Sequence, residues 1–222
     1  MIYNVLTLYP EMIEAYKDVG IIGRGVKNNK LEINAINIRD YSKDKHKRVD
    51  DEIYGGGAGM LMKAEPVYDC VTDIKKQRNV PVIYFSPRGK VFNSALAKEY
   101  AKLDEVILLC GHYEGIDQRA IDLCVDEEIC IGDYILTGGH IAAMVFMDTV
   151  SRYVDGVLGN SESYKNESFE NGMLEASQYT RPEEFMGLKV PPVLLSGHHK
   201  KIEEYMNEEA LKETKKRRED LL

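Results

Sequence analysis

The sequence predicts an α/β domain built on a largely parallel sheet, followed by a small and mostly helical C-terminal domain. Two observations predict this arrangement. Short apolar segments of strand length alternate with helical segments through the first part of the chain, a pattern typical of parallel sheets flanked by helices. After Val154 the composition shifts towards Gly, Asn, Ser and Glu, and a charged helical segment ends the chain. The predicted strands are residues 2–8, 31–38, 81–86, 105–110 and 127–131.

The predicted helices depend mainly on capping residues and on breaks at proline and glycine. Asn93 is placed to cap a helix, because its short polar side chain can accept a hydrogen bond from a backbone N–H group. Pro87 is expected to end the third strand, and residues 39–60 are predicted to form a long loop. The predicted helices begin near Glu11, span 65–77, run from Asn93 to Lys102, begin near Asp117, span 141–153 and begin near Lys200.

The segment 141–153 (IAAMVFMDTVSRY) is apolar almost all round. A helix of this kind has to be buried on more than one side. It is therefore either a central core helix or a helix with one face against another subunit, and the residues alone leave both readings open.

The change of composition after Val154 also sets the expected domain boundaries. Residues 155–172 are predicted to form a linker or a mobile loop, because small polar residues favour irregular structure. We predict a first domain over residues 1–158, an interdomain linker over 159–171 and a C-terminal domain over 172–222.

The 222-residue chain carries a formal net charge of −8, which argues against a large nucleic-acid interface, since phosphates are neutralised by Lys and Arg. Two segments, 43–48 and 212–218, are nevertheless basic. Each is either a solvated surface or a local contact for nucleic acid. The charge balance therefore allows a nucleic-acid partner but predicts a small, focused footprint.

Location is predicted from what the sequence lacks. No apolar run approaches the roughly 20 residues that span a bilayer, and the first residues do not resemble a signal peptide. The four cysteines form no CxxC pair and are expected to be reduced, buried thiols. A cytoplasmic protein with no membrane contact is therefore expected.

Four glycines lie within five positions in the segment 50–60 (DDEIYGGGAGM). Glycine lets a backbone approach a ligand closely, but the spacing does not match a phosphate loop, because Met60 stands where GxGxxG requires glycine. The segment is either an ordinary surface loop or, given the carboxylates that precede the glycines, a binding loop for a polar ligand.

Three further glycine-bearing loops, 86–89, 110–117 and 131–139, each follow a predicted strand. Ligands of open α/β sheets bind outside the carboxyl ends of the strands, so these loops are expected to form one pocket together. In the third loop, a ThrGlyGly sequence opens the apolar helix and would turn backbone N–H groups towards that pocket.

Metal and covalent chemistry find little support in the sequence. The five histidines show no HxxxH, HExxH or other ligand spacing, so no protein-held metal is expected. A GxSxG nucleophile elbow is also lacking.

Taken together, the motifs resemble one known family. DDEIYGGGAGM, YFSPRG, LLCGHYEGIDQR, EEICIGDYILTGGHIAA, SFENGMLE, QYTRPEEF and VPPVLLSGHH occur in this order and at these distances. They resemble the bacterial tRNA (guanine-37-N1)-methyltransferase family, TrmD, of the SPOUT methyltransferase class. The resemblance runs from the first strand to about residue 202.

This resemblance implies more than the residues alone could. It implies a parallel sheet with a deep trefoil knot, an obligate homodimer with active sites at the interface, and a C-terminal helical domain that binds tRNA. It also implies S-adenosylmethionine as the methyl donor, and leaves Mg²⁺ open as a second cofactor. The donor-binding residues implied are Tyr84, Phe85, Ser86, Pro87, Gly89, Gly111, Tyr113, Glu114, Gly115, Ile131, Gly132, Tyr134, Leu136, Gly138 and Gly139.

The chemistry of the family requires a base, because guanine N1 keeps its proton at neutral pH and is a poor nucleophile. The resemblance places that base at Glu167, where the family has Asp, and an assisting cation at Arg152. It places the flipped guanine and the tRNA at the glycine-rich segment, and the residues implied there are Asp50, Gly55, Gly59 and Met60.

Several positions depart from the family pattern. Glu167 replaces Asp, His112 stands where some members have Arg, His140 stands where Glu is usual, and the C-terminal domain is short. These departures keep a second hypothesis open, a non-catalytic SPOUT-type module that binds RNA or S-adenosylmethionine. A nucleotide-phosphate enzyme built on the segment 50–60 is a third hypothesis, which the glycine spacing disfavours.

Overall fold

Five parallel strands form the centre of the first of two units in a computed structural model, which describes residues 1–159 and 167–222. The units are Met1–Gly159 and Asn160–Leu222. The strands of the first unit are β1 Ile2–Thr7, β2 Glu32–Asn37, β3 Asp50–Glu52, β4 Met60–Met62, β5 Val82–Val91, β6 Glu105–Leu109 and β7 Glu127–Cys130. Its helices are α1 Pro10–Lys17, α2 Gly20–Lys27, α3 Ala64–Lys75, α4 Ser94–Tyr100, α5 Gln118–Cys124 and α6 Gly139–Ser151.

The central sheet has the strand order β2-β1-β6-β5-β7, and every neighbouring pair is parallel. Strand β6 lies in the middle, and its residues from Val106 to Leu109 are fully buried. Such a run, apolar on both faces, is what a parallel strand covered by helices on each side requires. The predicted α/β class and the parallel sheet are confirmed.

Two apolar cores lie on opposite faces of this sheet. The first contains α6, whose Phe146 ring meets Phe85, Phe92 and Tyr100 at centroid distances of 5.0–5.8 Å. The second is formed where α3 and α5 pack against the other face. Because both faces are covered, ligands can reach the sheet only at its ends.

Asn93 caps α4 as predicted, and its Oδ1 atom accepts a hydrogen bond from the Leu96 N–H at 2.9 Å. The helix predicted over 65–77 is α3, at Ala64–Lys75. These elements follow from local signals, since caps and periodicity depend only on residues a few positions apart.

The prediction of a long loop over 39–60 was wrong. A short 3-10 helix occupies Ile38–Tyr41, and β3 and β4 form an antiparallel hairpin. The hairpin is supported from outside: the Met62 N–H donates to the Gly115 carbonyl at 3.0 Å, and the Asp117 N–H donates to the Met62 carbonyl at 2.9 Å. A partner more than 50 positions away leaves no periodic signal in the hairpin sequence itself.

The prediction that the third strand ends at Pro87 was also wrong. Strand β5 continues to Val91, and Ile129 of β7 pairs with both Phe85 and Lys90. The four residues 86–89 are therefore looped out of the ladder as a bulge. Pro87 is tolerated there because a looped-out, exposed position needs no ladder hydrogen bond.

Helix α6 is buried along most of its surface, in agreement with its apolar sequence. Two apolar side chains one turn apart, Ile141 and Val145, remain 39% and 42% exposed. The helix is therefore a core helix with a narrow exposed apolar stripe.

The described part of the second unit contains a two-stranded hairpin, two α-helices and a 3-10 helix at Glu219–Leu221. Residues 167–172 form a turn. Just after it, the Leu174 N–H donates to Thr214 Oγ1 at 2.9 Å, and this hydrogen bond holds the segment against the C-terminal helix. Residues 160–166 of the predicted linker lie outside the described residues. The elements are β8 Glu184–Phe185, β9 Leu188–Lys189, α7 Pro192–Leu195 and α8 His199–Arg217.

Among the described residues, no helix is both long enough and sufficiently apolar to cross a membrane.

Candidate functional site

The three glycine-bearing segments meet in one cavity at the carboxyl ends of β6 and β7 and at the bulge over 86–89 within β5. The cavity measures about 360 Å³, within the roughly 300–1,000 Å³ typical of small-molecule sites. Every residue predicted for the donor site lines it except Gly89. The residues that the prediction omitted and that also line it are His112, Ile129, Cys130, Ile135 and Ala142.

Gly89 lies outside this cavity, although the family resemblance placed it there. A Cβ atom at Gly89 would lie 2.4 Å from the carbonyl carbon of Glu128 and from the backbone nitrogen of Ile129. Gly89 therefore lets the bulge over 86–89 close tightly against β7. Its contribution is to position Ser86 and Pro87, which line the cavity, rather than to line it itself.

The second and third segments are joined by their backbones. The Gly139 N–H donates to the Gly111 carbonyl at 2.8 Å, and His112 pairs with Gly138 as an antiparallel bridge. A Cβ atom at Gly139 would lie 2.9 Å from the Cα atom of Cys110. Close packing at the start of α6 thus fixes the distance between two walls of the cavity.

The third segment folds over on itself. Tyr134 stacks so closely against Gly132 that a Cβ atom there would lie 2.4 Å from the Tyr134 ring, and the Tyr134 hydroxyl donates to the Ile131 carbonyl at 3.3 Å. Gly132 has a φ of 151°, a conformation that residues with a side chain rarely adopt. The tight turn keeps this wall close to the end of β7.

The β3–β4 hairpin adjoins the cavity through Glu114. The Glu114 N–H donates to the Met60 carbonyl at 3.0 Å, and a Cβ atom at Gly59 would lie 2.6 Å from the Glu114 side chain. Gly59 and Met60 are therefore held directly beside the second wall. Asp50 and Gly55 do not line the cavity; Gly55 lines a separate depression of about 890 Å³ on the hairpin.

The cavity combines apolar walls with few ionisable groups. Among the described residues that line it, Glu114 carries the one carboxylate. Burial raises the pKa of the Tyr84 hydroxyl, and the nearby Glu128 charge adds to the rise. Tyr84 is therefore a neutral wall, and Glu114 is the group that favours a cationic ligand at this end of the sheet.

Comparison with known proteins identifies the family of this chain. The model of the protein family described as tRNA (Guanine-1)-methyltransferase TrmD matches residues 1–222. The chain belongs to this family. The family resemblance seen in the motifs is confirmed.

Similar proteins cover the chain almost end to end. A tRNA (guanine-N(1)-)-methyltransferase of Finegoldia magna is 52% identical over 221 residues, which are 100% of this chain and 94% of that protein. The protein of the same description from Clostridioides difficile is 50% identical over 224 residues, covering 100% of this chain and 97% of its own length. One from Clostridium botulinum is 53% identical over 219 residues, covering 99% and 90%.

The two catalytic candidates of the TrmD resemblance lie in different units. Arg152 follows the last turn of α6, and its N–H donates to the Asp148 carbonyl at 3.3 Å. Glu167 begins the turn over 167–172, and its carbonyl accepts the Glu170 N–H at 3.2 Å. This turn is stabilised within the second unit, where Arg218 stacks over the Phe169 ring with its guanidinium carbon 5.8 Å from the centroid.

Among the described residues, no group of three or more His, Cys, Asp or Glu side chains could hold a metal ion.

One neighbour of the cavity could not be found from the motifs. The Tyr9 hydroxyl, at the start of α1, lies 3.0 Å from the His112 Nε2 atom. Tyr9 and His112 are 103 positions apart, so only the pairing of β1 with β6 brings them together. In the sequence, His112 and His140 depart from the family pattern, and this departure was the one sign that these positions differ in their surroundings.

Proposed function

We propose that this protein transfers a methyl group from S-adenosylmethionine to N1 of guanosine 37 in the anticodon loop of tRNA. The observation that carries the proposal is the single cavity built by the three glycine-bearing segments, in a chain about half identical to proteins named tRNA (guanine-N(1)-)-methyltransferase. S-adenosylmethionine, when bound, supplies an electrophilic methyl group on a sulfonium centre.

The residues of the cavity fit this donor. The apolar side chains of Ile129, Leu136 and Ala142 offer a surface for the adenine ring, and Glu114 offers a carboxylate for the cationic end. Three glycines, at 111, 138 and 139, leave no side chain between the donor and the backbone. Close packing of Gly139 against the Cys110 backbone fixes the distance between two walls of the cavity, which would hold the donor in one orientation.

The acceptor guanine is proposed to bind beside the Gly59 and Met60 backbone. The support is the contact of this segment with Glu114, which lines the donor cavity. A base held there would stand next to the donor, and that proximity is the main requirement of a direct methyl transfer. Asp50 and Gly55, which do not line the cavity, are proposed to contact the rest of the anticodon loop.

Glu167 is proposed to take the proton from guanine N1, and Arg152 to stabilise the negative charge that then develops on O6. A carboxylate is a competent base for this proton, and a guanidinium is a permanent cation with directed N–H donors. The extra methylene of Glu167, compared with the family Asp, changes its reach but not its chemistry. Mg²⁺ is retained only as an expectation from the family, to be tested with the reaction.

A second copy of the chain is proposed to cover α6. The support is the exposed apolar stripe of Ile141 and Val145 on a helix that is otherwise core. In a homodimer this stripe would be buried and the active sites would lie at the interface, as the family resemblance implies.

The dimer is tested by mass in solution. We expect light scattering to give about twice the chain mass of 25.2 kDa for the unchanged protein. Val145→Asp should give the monomer mass, because a carboxylate in the stripe would be desolvated at the interface. Leu123→Asp, on the exposed side of α5, is the matched control and should stay dimeric. A monomeric unchanged protein would refute the proposal.

Three finer features are also proposed. The chain would pass through its own loop in a trefoil knot, which is supported by its return from the edge strand β7 to place Gly139 against Gly111. The second unit would be a C-terminal domain that holds tRNA through the basic end of α8, at Lys215 and Lys216. The reaction would take place in the cytoplasm, because the proposed substrate, tRNA, is found there.

The proposed function is tested by methyl transfer from labelled S-adenosylmethionine to an unmodified tRNA transcript with guanosine at position 37. We expect label in this transcript and none in the same transcript with adenosine 37, because adenine has no N1–H to donate to Glu167 and carries an amino group in place of the O6 atom that Arg152 is proposed to contact. The assay is run with Mg²⁺ and with a chelator. Donor binding without transfer to either transcript would favour the non-catalytic module instead.

A further inference from the structure

A cluster of four rings borders the donor cavity. His112, in the second wall, and His140, in the first turn of α6, both contact the Tyr9 ring, at centroid distances of 5.0 and 5.6 Å. The centroid of the Tyr113 ring lies 4.7 Å from that of His112. His140 is only 7% exposed. The cluster therefore joins the two walls that meet at Gly138.

The two imidazoles converge on a single point above Gly138. A Cβ atom at Gly138 would lie 2.9 Å from His112 Nδ1 and 3.0 Å from His140 Nδ1. The two nitrogens are therefore at most about 6 Å apart. Gly138 itself has an extended backbone that any residue adopts, so the rings, and not the backbone conformation, exclude a side chain there.

A proton on His112 has no acceptor in this arrangement. Its Nε2 atom shares a hydrogen bond with the Tyr9 hydroxyl, and its Nδ1 atom is buried without a partner among the described residues. A protonated imidazole carries a donor on both nitrogens. Protonation would therefore place an unpaired N–H and a positive charge opposite His140.

We infer that His112 and His140 are positioning residues that hold two walls of the donor cavity together only while both rings are uncharged, so that donor affinity falls in acid. The inference rests on the proposed function, because it takes S-adenosylmethionine as the ligand of that cavity. Neither histidine takes part in the reaction, but together they would control the shape of the donor cavity.

The surroundings of His140 support this inference. Burial lowers the pKa of His140, and the His112 charge lowers it further. A lowered pKa means that the packed arrangement favours the neutral ring. As pH falls through the ordinary histidine range near 6.5, protons are therefore taken up preferentially when the walls separate, and the donor is released.

Other titrating groups have to be separated from this effect. Tyr9 and Tyr113 are the hydroxyl-bearing residues whose rings face the two imidazoles. Glu114 is the carboxylate that lines the cavity. The amino group of the donor titrates above about pH 7.5. The measurement is therefore confined to pH 7.0–5.5, and Glu114 is kept in every variant.

The test is calorimetric titration of the full-length protein with S-adenosylmethionine between pH 7.0 and 5.5 at constant ionic strength. We expect the affinity of the unchanged protein to fall about fivefold to tenfold over this range. The double variant His112→Gln, His140→Gln carries no titrating ring, and its affinity should change by less than twofold. Near-ultraviolet circular dichroism at each pH checks that each protein is folded.

A second variant tests the direction of the effect. His140→Glu sets a carboxylate against His112, which favours the charged imidazole, so its donor affinity should hold or rise as pH falls. A pH-independent affinity of the unchanged protein would overturn the inference, as would an equal loss in the double variant. A protein that binds no donor at any pH would instead overturn the proposed function.

Discussion

Glu167→Ala is expected to lower the rate of methyl transfer by about two to four orders of magnitude, the usual contribution of a general base. Without a carboxylate, guanine N1 keeps its proton and its lone pair is not available to the methyl group. Donor affinity should stay within a fewfold of the original, since Glu167 is not among the residues that line the cavity. Single-turnover rates with the guanosine 37 transcript measure the first effect, and calorimetric titration measures the second.

Two variants make this prediction specific. Glu167→Asp keeps the carboxylate and restores the family residue, so we expect it to recover most of the lost rate. Glu170→Ala removes the next carboxylate of the same turn and should leave the rate within a fewfold. A large loss in Glu170→Ala, with an active Glu167→Ala protein, would move the base to Glu170.

Gly139→Ala is expected to weaken donor binding by about five- to 150-fold, which corresponds to about 1–3 kcal/mol of overpacking. The added methyl would lie 2.9 Å from Cys110 Cα and 3.0 Å from the Gly111 nitrogen. These are backbone atoms at the end of the central strand and cannot turn aside as a side chain could. The start of α6 would have to move away from the second wall, and the hydrogen bond from Gly139 to Gly111 would lengthen.

Gly159→Ala is the matched control, because a Cβ atom there would meet nothing within 4 Å. We expect its donor affinity and its melting temperature to equal those of the unchanged protein. Calorimetric titration and thermal unfolding together separate lost binding from lost stability. Unchanged donor affinity in Gly139→Ala would show that the contact between the two walls does not set the shape of the cavity.

Local sequence patterns predicted the elements that depend on neighbouring residues. Asn93 predicted the start of α4, and the apolar segment of β6 predicted a buried parallel strand. Both signals depend only on residues a few positions apart in the sequence. The glycine loops after the strands predicted one shared cavity for the same reason: parallel strands all end at one edge of the sheet. The base and the donor came from the family resemblance and remain proposals.

The tertiary structure decided what depends on distant partners. The bulge over 86–89 exists because β7 pairs with β5 on both sides of it. The β3–β4 hairpin exists because Gly115 and Asp117 complete its hydrogen bonds. Tyr9 meets the two histidines through the pairing of β1 with β6. By itself, the sequence determined the five strands of the central sheet, most of the helices and the site loops. Tertiary hydrogen bonds and packing between residues far apart in the chain decided the β3–β4 hairpin, the bulge in β5 and the strand register, because no short-range pattern encodes such contacts.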